Sequence, residues 1–427
     1  MNTDTFSESP LAIDGGQPAL PGPCPPMYPG GNIIDDREAQ AVLDTVRQKR
    51  LFRYYGPTDA PSKTALLEKR FATHIGAGYT LAVTSGTASL VCALHALGVG
   101  PGDEVIVPAY TWIATASAVL STGAIPVVAE VDESLTLDPA DLPRRLSPHT
   151  RAIVPVHMRG VPCRMDEIMA FARQHGLKVV EDTAQANGAS YRGRRLGTFG
   201  DAGCFSLQFN KIITSGEGGM MVTNDEGVWK RALMYHDVIG GLRNNIPAQE
   251  TLWGVNFRMP ELLAAVALAQ LDRLETLLAT MRGHKAVLRA AIEPALAQKG
   301  LHAQDIPDPQ GDAAIAFIFY ANDPQQAKRL ARAISAENVT AYTLYDPDEV
   351  DYHVYTHWTP IVEKRAWNRA NMPWAAAPRP VDYSSSACPR TLDLLSRAVH
   401  IDVNPLYSAA EIEDVAEAIV KVISRYG

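Results

Sequence analysis

The most informative segment of the sequence is Phe205-Ser-Leu-Gln-Phe-Asn-Lys-Ile-Ile-Thr-Ser-Gly-Glu-Gly-Gly219. It places Lys211 between an apolar run typical of a buried strand and a turn rich in small residues. A lysine is ordinarily a solvated surface charge, but these apolar and glycine-rich flanks favour a buried amine with a lowered pKa. On that pattern Lys211 is a candidate catalytic residue.

Short apolar runs alternate with helical patterns on both sides of this segment, from about Thr64 to Asp237. Seven strands are predicted, at Thr80–Val83, Glu104–Val107, Pro126–Ala129, Ala152–Val156, Lys178–Glu181, Gly203–Ser206 and Gly219–Val222. The helices predicted between them are Thr87–Leu97, Ile113–Leu120, Pro139–Leu146, Met165–Gln174 and Glu226–Tyr235. This alternation indicates an α/β fold whose mainly parallel seven-stranded sheet is covered by helices on both faces.

The pattern changes after Trp253, where two long helices are predicted. The elements expected from there onward are helices Pro260–Leu274 and Glu275–Leu296, strand Ala313–Phe319, helix Pro324–Ala336, strand Thr340–Leu344, an irregular stretch from Asp346 to Cys388, and helix Ala409–Ser424. We therefore predict an N-terminal arm (1–28), a large cofactor domain (29–258), a helical connector (259–300) and a small α/β C-terminal domain (301–427).

Composition argues against several functional classes. The 427 residues carry a formal net charge of −8, with Lys and Arg scattered, so no nucleic-acid partner is expected. No apolar run reaches the roughly 18–20 residues that span a bilayer, and the N-terminus lacks the features of a secretory signal. Five widely spaced cysteines without a CxxC pair predict reduced thiols and a cytoplasmic location. His353 and His357 with Asp351 lie in a predicted loop, and no metal site is expected there.

Three further motifs follow predicted strands, where an open α/β sheet binds its ligands. Asp182, after Lys178–Glu181, can pair with a pyridinium nitrogen or simply cap the next helix. Val83-Thr-Ser-Gly-Thr-Ala-Ser-Leu90 opens a helix with small residues, which suits a phosphate or an ordinary N-cap. Trp112 can stack on a flat heterocycle, or belong to the core or an interface.

Together these motifs supply a phosphate anchor, a ring-stacking aromatic, an acid for a ring nitrogen and an imine-forming lysine. Those are the four parts that pyridoxal 5′-phosphate (PLP) requires. The chain also resembles the DegT/StrS-type sugar aminotransferases of PLP fold type I, from about Pro29 to Tyr426. The matching segments are Thr84-Ser-Gly-Thr-Ala-Ser-Leu90, Pro101-Gly-Asp-Glu-Val-Ile-Val-Pro108, Val156-His-Met-Arg-Gly160, Glu181-Asp-Thr-Ala-Gln185, Ser206–Lys211, Gly216-Glu-Gly-Gly219 and Asn256-Phe-Arg-Met259.

The resemblance implies a set of cofactor contacts. They are Gly86, Thr87, Trp112, Asp182, Gln185, Ser206, Lys211 and Asn256. Lys211 would be the catalytic Schiff-base lysine, Asp182 would pair with the ring nitrogen, and Gln185 would contact the ring hydroxyl. Trp112 would stack on the ring, and Gly86 and Thr87 would hold the phosphate together with Ser206. Asn256 resembles a residue that the neighbouring subunit contributes, which implies a homodimer with shared active sites.

Some segments are similar to one branch of the family, the 8-amino-3,8-dideoxy-octulosonate aminotransferases. They are Leu51-Phe-Arg-Tyr54, His157-Met-Arg-Gly160, Ile306-Pro-Asp-Pro309 and the aromatic run near Trp358. Asn187 departs from the His that many members carry, and a related dehydratase branch has His in place of Lys211, so the lysine argues against dehydration. The candidate substrate contacts are Arg53, Tyr54, His157, Arg159 and Arg258, each of which could instead be structural.

The implied function is transfer of an amino group from glutamate or glutamine to a keto- or aldo-sugar or a cyclitol, with ping-pong kinetics. Two alternatives stay open: a PLP enzyme that aromatises an aminodehydroquinate-type ring, and a non-catalytic PLP-binding sensor. The sensor is disfavoured because only about 28 residues precede the fold, too few for a helix-turn-helix module. A dehydrogenase is disfavoured because no GxGxxG follows a strand.

Overall fold

A computed structural model describes residues 10–427 and contains a seven-stranded sheet. Its strands are β1 (Tyr79–Val83), β2 (Glu104–Pro108), β3 (Ile125–Ala129), β4 (Thr150–Ile153), β5 (Lys178–Asp182), β8 (Ala202–Ser206) and β9 (Gly219–Thr223), with a separate hairpin of β6 (Ser190–Tyr191) and β7 (Arg194–Arg195). The strand order is β1-β9-β8-β5-β4-β2-β3. Strand β9 is antiparallel to both neighbours and every other adjacent pair is parallel. The α/β fold with a mainly parallel seven-stranded sheet is therefore confirmed.

Helices cover the sheet on both faces, and so strands β2, β3, β8 and β9 are buried at every position. The helices are α1 (Asp36–Arg47), α2 (Lys63–Ile75), α3 (Gly86–Ala96), α4 (Ala114–Ser121), α5 (Leu142–Arg145), α6 (Met165–His175), α7 (Glu226–His236), α8 (Gly240–Arg243), α9 (Glu261–Leu271), α10 (Leu274–Gln298), α11 (Pro324–Ala336), α12 (Thr359–Val362), α13 (Pro389–Arg397) and α14 (Ala409–Tyr426). Two-sided burial explains why the strands read as continuous Val- and Ile-rich runs rather than as alternating patterns.

Some helices differ from the sequence-based expectation. Helices α1 and α2 were not predicted, although Asp35 and Glu38 form a capping box at the start of α1. The helix predicted at Pro139–Leu146 is shorter, because Pro139–Asp141 forms a 3₁₀ turn before α5 begins. None of the helices within residues 10–427 combines the length and apolar character needed to cross a bilayer.

A second, antiparallel sheet follows the long helix α10. Its strands are β10 (His302–Ala303), β11 (Ala316–Tyr320), β12 (Ala341–Thr343) and β13 (Ala398–Asp402), in the order β10-β11-β13-β12. Strand β11 begins three residues later than predicted, since the chain first turns through Ala314, whose φ is 60°. Strand β13 was not predicted: its polar His400 and Asp402 interrupt the apolar run, yet it lies between two partners in the sheet.

The chain before α1 lies against the second sheet and its helices. The amides of Ala12 and Ala19 donate to the carboxylate of Glu337 at 2.8 and 2.9 Å, and the Asn338 side chain donates to the Leu20 carbonyl. The first nine residues of the predicted arm lie outside the described residues. The division of the chain after residues 28, 258 and 300 stays a prediction.

Candidate active site

A cavity of about 650 Å³ lies at the carboxyl ends of the central strands, between the two sheets. All the predicted cofactor contacts except Asn256 line it: Gly86, Thr87, Trp112, Asp182, Gln185, Ser206 and Lys211. These residues follow β1, β2, β5 and β8, and parallel strands bring their carboxyl ends to one edge of a sheet. The sequence motifs are therefore neighbours in space, although more than 120 residues separate the first from the last.

Lys211 lies in the turn between β8 and β9, with its amine inside the protein at the cavity. Burial lowers the pKa of Lys211, and the positive charge of Arg159 lowers it further, while Asp182 and Glu217 oppose the shift. No hydrogen bond or ion pair to the amine is formed by any of residues 10–427. A buried amine of this kind is chemically competent as a nucleophile and as a base.

Asp182 ends β5 and is almost fully buried at the cavity wall. Its Oδ2 accepts the hydroxyl of Thr115 at 2.8 Å, and its Oδ1 accepts the amide of Ala184 at 3.1 Å. The Thr115 hydroxyl is also 2.8 Å from that of Thr111, so a short chain of hydroxyls supports the carboxylate. Burial raises the pKa of Asp182, whereas these donors, Lys211 and His157 favour its anionic form.

The amino end of α3 forms a cradle suited to an anion. The Ser85 side chain accepts the amide of Ala88, and its carbonyl accepts the amide of Ser89. The amides of Gly86 and Thr87 consequently have no helical partner and lie at the positive end of the helix dipole. A Cβ on Gly86 would come within 2.7 Å of the Ser206 Cβ, so the absence of a side chain lets the helix end approach that serine.

Trp112 and Gln185 meet a residue that sequence reasoning did not assign to the site, His353. The ring centroids of Trp112 and His353 are 4.9 Å apart, and Trp112 is 46% exposed. His353 Nδ1 is 2.7 Å from the Asp351 carboxylate, and its Nε2 is 3.4 Å from the Gln185 amide nitrogen. Burial lowers the pKa of His353, which favours a neutral ring that donates to Asp351 and accepts from Gln185.

The hypothesis that His353, His357 and Asp351 might form a metal site is not supported by their arrangement. His357 Nδ1 accepts the Asp351 amide instead of joining a shared ligand set with the carboxylate. Within residues 10–427, no group of three or more His, Cys, Asp or Glu side chains is placed to hold a metal ion. In the sequence His353 was considered only as a member of this group, for which no metal site was expected, so its contacts with Trp112 and Gln185 were not predicted.

Among the predicted substrate contacts, Arg159 lines the cavity and the others lie elsewhere in this chain. His157 is fully buried beneath the site, where its Nδ1 accepts the Cys163 amide at 3.1 Å and its Nε2 is 3.2 Å from Glu181. Its surroundings are those of a structural residue behind Asp182.

Arg53, Tyr54, Arg258 and Asn256 form part of a second group, which we call the Arg53–Arg258 cluster. The cluster comprises Phe52, Arg53, Tyr54, Asp237, Arg243, Asn256 and Arg258. Arg53 pairs with Glu68 at 2.9 Å, whereas Arg243 and Arg258 both pair with the buried Asp237 at 2.7 and 2.8 Å. Asn256 is exposed, with its side chain 3.4 Å from the Arg258 amide. None of these side chains lines the cavity of the same chain.

Comparison with known proteins identifies the family to which this chain belongs. A family model described as the DegT/DnrJ/EryC1/StrS aminotransferase family matches residues 32–373. The chain belongs to this family. Membership makes it a PLP-dependent aminotransferase of fold type I.

Individual relatives support the assignment over most of the chain. The L-glutamine:2-deoxy-scyllo-inosose aminotransferase of Streptoalloteichus tenebrarius is 31% identical, over 98% of this chain and 98% of that protein. The GDP-perosamine synthase of Caulobacter vibrioides is 45% identical over a shorter alignment, which covers 50% of this chain and 57% of that protein. The crystal structure of 3-amino-5-hydroxybenzoic acid synthase superposes with a TM-score of 0.76 at 28% identity, covering 95% of this chain and all of that one.

Proposed function

We propose that the chain transfers an amino group from glutamate or glutamine to a keto- or aldo-sugar or a cyclitol, in two successive half-reactions. One observation carries this proposal: the unpaired, buried amine of Lys211 shares a cavity with a buried carboxylate and with the amino end of α3, where the amides of Gly86 and Thr87 have no helical partner. The relatives extend it toward the acceptor, because two of them are named for aminated or ketonic sugars and cyclitols.

The residues present fit PLP. The two adjacent free amides of Gly86 and Thr87 and the hydroxyl of Ser206 suit its phosphate. Gly86 approaches Ser206 so closely that a side chain would not fit between them. Asp182 suits its ring nitrogen, since a carboxylate held by two donors can balance one positive charge. Trp112 offers the exposed aromatic face that a flat ring needs. Gln185 would contact the ring hydroxyl, although its side-chain amide already bonds to the Arg159 backbone amide and to His353.

PLP supplies an aldehyde that condenses with amines and a protonated ring that draws electrons from the bond being broken. In the proposed reaction Asp182 keeps the proton on the ring nitrogen. The Lys211 amine, with its lowered pKa, removes the proton from the donor's α-carbon. The same amine would pass that proton to the C4′ carbon of the cofactor, and in the second half-reaction it would take a proton from C4′ and deliver it to the former carbonyl carbon of the acceptor. The keto acid leaves before the acceptor enters, because both use this one cavity, and ping-pong kinetics follow.

A homodimer with shared active sites is part of the proposal. Asn256 and the Arg53–Arg258 cluster lie outside the cavity of their own chain, which is expected if they complete the cavity of a partner. Large apolar side chains are exposed in the same segments: Tyr55, Val238, Leu242 and Trp253, the last of these 77% exposed. Exposed apolar groups of this density are typical of subunit interfaces. A cytoplasmic location also belongs to the proposal.

The proposal is tested by following the cofactor absorbance. Glutamate or glutamine added to the PLP-loaded protein should convert the bound cofactor to its amino form, and a panel of keto-sugars, sugar acids and inososes should restore the original spectrum. A non-catalytic sensor would leave the spectrum unchanged. An aromatising synthase would release an aromatic product. Two relatives aligned along their whole length, at 31% and 30% identity, are named aminotransferases, which favours amino transfer over aromatisation.

A further inference from the structure

Arg159 is held in an unusual backbone conformation at the cavity wall. It occupies the left-handed region with φ 54° and ψ 27°, which is unfavourable for a residue with a side chain. Its amide donates to Gln185 Oε1 at 3.1 Å, and the next residue, Gly160, accepts the amide of Ala313 at 3.1 Å. The turn is therefore fixed from both sides, by the first sheet and by the segment leading into the second. Such strain persists where surrounding contacts over-determine it, often at ligand sites.

The guanidinium of Arg159 has neutral neighbours. Its Nε donates to the Tyr110 hydroxyl at 3.0 Å, and burial raises the pKa of Tyr110 well above its usual value, so this phenol is uncharged. Tyr342 is the second phenol beside it. No carboxylate among residues 10–427 lies within 4.0 Å of the guanidinium. The Nη atoms of Arg159 make no hydrogen bond of 3.5 Å or shorter within residues 10–427, and because the residue lines the cavity they can serve a ligand there.

The acidic groups nearest to this part of the cavity contact histidines and not Arg159. Asp351 lies 2.7 Å from His353, and Asp402 lies 2.9 Å from His400. Neither carboxylate is within ion-pairing distance of Arg159. The positive charge of Arg159 is also felt across the cavity, since it lowers the pKa values of Lys211, His353 and His400. A negatively charged group bound beside Arg159 would therefore meet a guanidinium that has no ion-pair partner of its own.

We propose that Arg159 binds a carboxylate of the substrate through its two Nη atoms, an inference that rests on the amino-transfer function proposed above. A planar guanidinium offers two parallel donors that match the two oxygens of a carboxylate. The carboxylate can come from two sources, the amino-acid donor or an acidic sugar acceptor. In a ping-pong enzyme both enter the same cavity in turn, so one guanidinium can serve both half-reactions.

The experiment compares charged and uncharged forms of the same substrates on the PLP-loaded protein. For the donor, glutamate is compared with its α-carboxamide and with glutamine, which differ from it in one carboxylate each. For the acceptor, a keto-sugar acid is compared with its amide. The variants are Arg159→Gln, which removes the charge, and Arg159→Lys, which keeps the charge but lacks the two parallel N–H donors of the guanidinium. Arg164→Gln serves as the control, because Arg164 is a surface arginine paired with Asp132 and Asp305.

Arg159→Gln is expected to lower kcat/KM for the carboxylate form by about 100-fold and to leave the amide form nearly unchanged. Arg159→Lys should lose about tenfold, again on the carboxylate form only. If the variants no longer distinguish glutamate from its amides, the carboxylate comes from the donor. If they no longer distinguish the keto-sugar acid from its amide, the carboxylate comes from the acceptor. As a readout independent of turnover, calorimetry should show succinate binding to the wild-type and Arg164→Gln proteins more tightly than to Arg159→Gln.

Equal losses on the charged and uncharged forms of every pair would overturn the inference, as would unchanged discrimination in both variants. If Arg159→Gln fails to fold or to load PLP, the Arg159→Lys comparison decides by the same criterion. Failure of the proposed function is a different result, in which the wild-type protein transfers no amino group between any of the substrates.

Discussion

The Thr115 hydroxyl is expected to control the charge of Asp182. It donates to Asp182 Oδ2 at 2.8 Å in a buried setting, where Thr115 is 1% and Asp182 5% exposed. Thr115→Val keeps the shape of the side chain but removes the donor, which leaves the Ala184 amide as the remaining direct donor to the carboxylate. A hydrogen bond to a charged group contributes about 1.5–3 kcal/mol.

That loss translates into a shift of the acid-side pH dependence. At about 1.36 kcal/mol per pKa unit, losing the donor raises the pKa of Asp182 by about one to two units. Asp182 must be anionic to hold the proton on the cofactor ring, so activity is lost as the pH falls through its pKa. The acid limb of the first half-reaction should therefore move to higher pH by the same amount. If all of the lost energy appears in the barrier, the rate on the acid side falls by about 10- to 150-fold.

The assay is stopped-flow absorbance of the glutamate half-reaction from pH 5 to 9. Thr115→Ser is the matched control, since it keeps the hydroxyl and should retain the wild-type acid limb. Thr111→Val removes the next hydroxyl in the chain, which lies 2.8 Å from that of Thr115, and should shift the limb by a smaller amount. If Thr115→Val and Thr115→Ser gave superimposable pH profiles, the assigned role of this hydroxyl would be wrong.

Three further outcomes are expected. Gly86→Ala should weaken PLP binding by tenfold or more, since the new Cβ would stand 2.7 Å from that of Ser206 and overpacking costs about 1–3 kcal/mol; titration of the apoprotein with PLP tests this, and an unchanged affinity would contradict it. Lys211→Met should make the cofactor-free protein more stable at pH 7, by about 1–3 kcal/mol in urea unfolding, because it removes a buried amine. Since burial lowers the pKa of Lys211, wild-type stability should rise as the pH increases from that lowered pKa to the ordinary value of about 10.4, and the variant should lack the rise. Asp351→Asn should weaken PLP binding by about tenfold, because Asp351 orients His353, which contacts the predicted cofactor residues Trp112 and Gln185; an unchanged affinity for PLP would contradict this role.

The sequence was sufficient for the residues that follow strands in the first sheet. Asp182 and Lys211 could be predicted because parallel topology brings strand ends to one edge, whatever their separation along the chain. Gly86 follows strand β1 by the same rule, although its pattern alone also suits an ordinary N-cap, and the family resemblance decided between the two. In each case a local pattern and a general rule of topology determine the placement.

Other parts of the site depend on contacts that no local pattern encodes. Thr115 lies in the first turn of α4 and reads as an ordinary helical residue until β5 brings Asp182 to it. His353 comes from an irregular stretch, where periodicity gives no position. Tyr342 and His400 reach the cavity only because β12 pairs with β13, and the polar residues of β13 conceal that strand in the sequence.

The most direct test of the account is to locate the cofactor on the chain. The PLP-loaded protein is treated with borohydride, which makes the bond between an amine and the cofactor permanent, and the digested peptides are mapped by mass spectrometry. We expect the label on Lys211 alone, and none in Lys211→Met. A label on another lysine, or an unlabelled Lys211 in a protein that still binds the cofactor and transfers amino groups, would contradict the central claim.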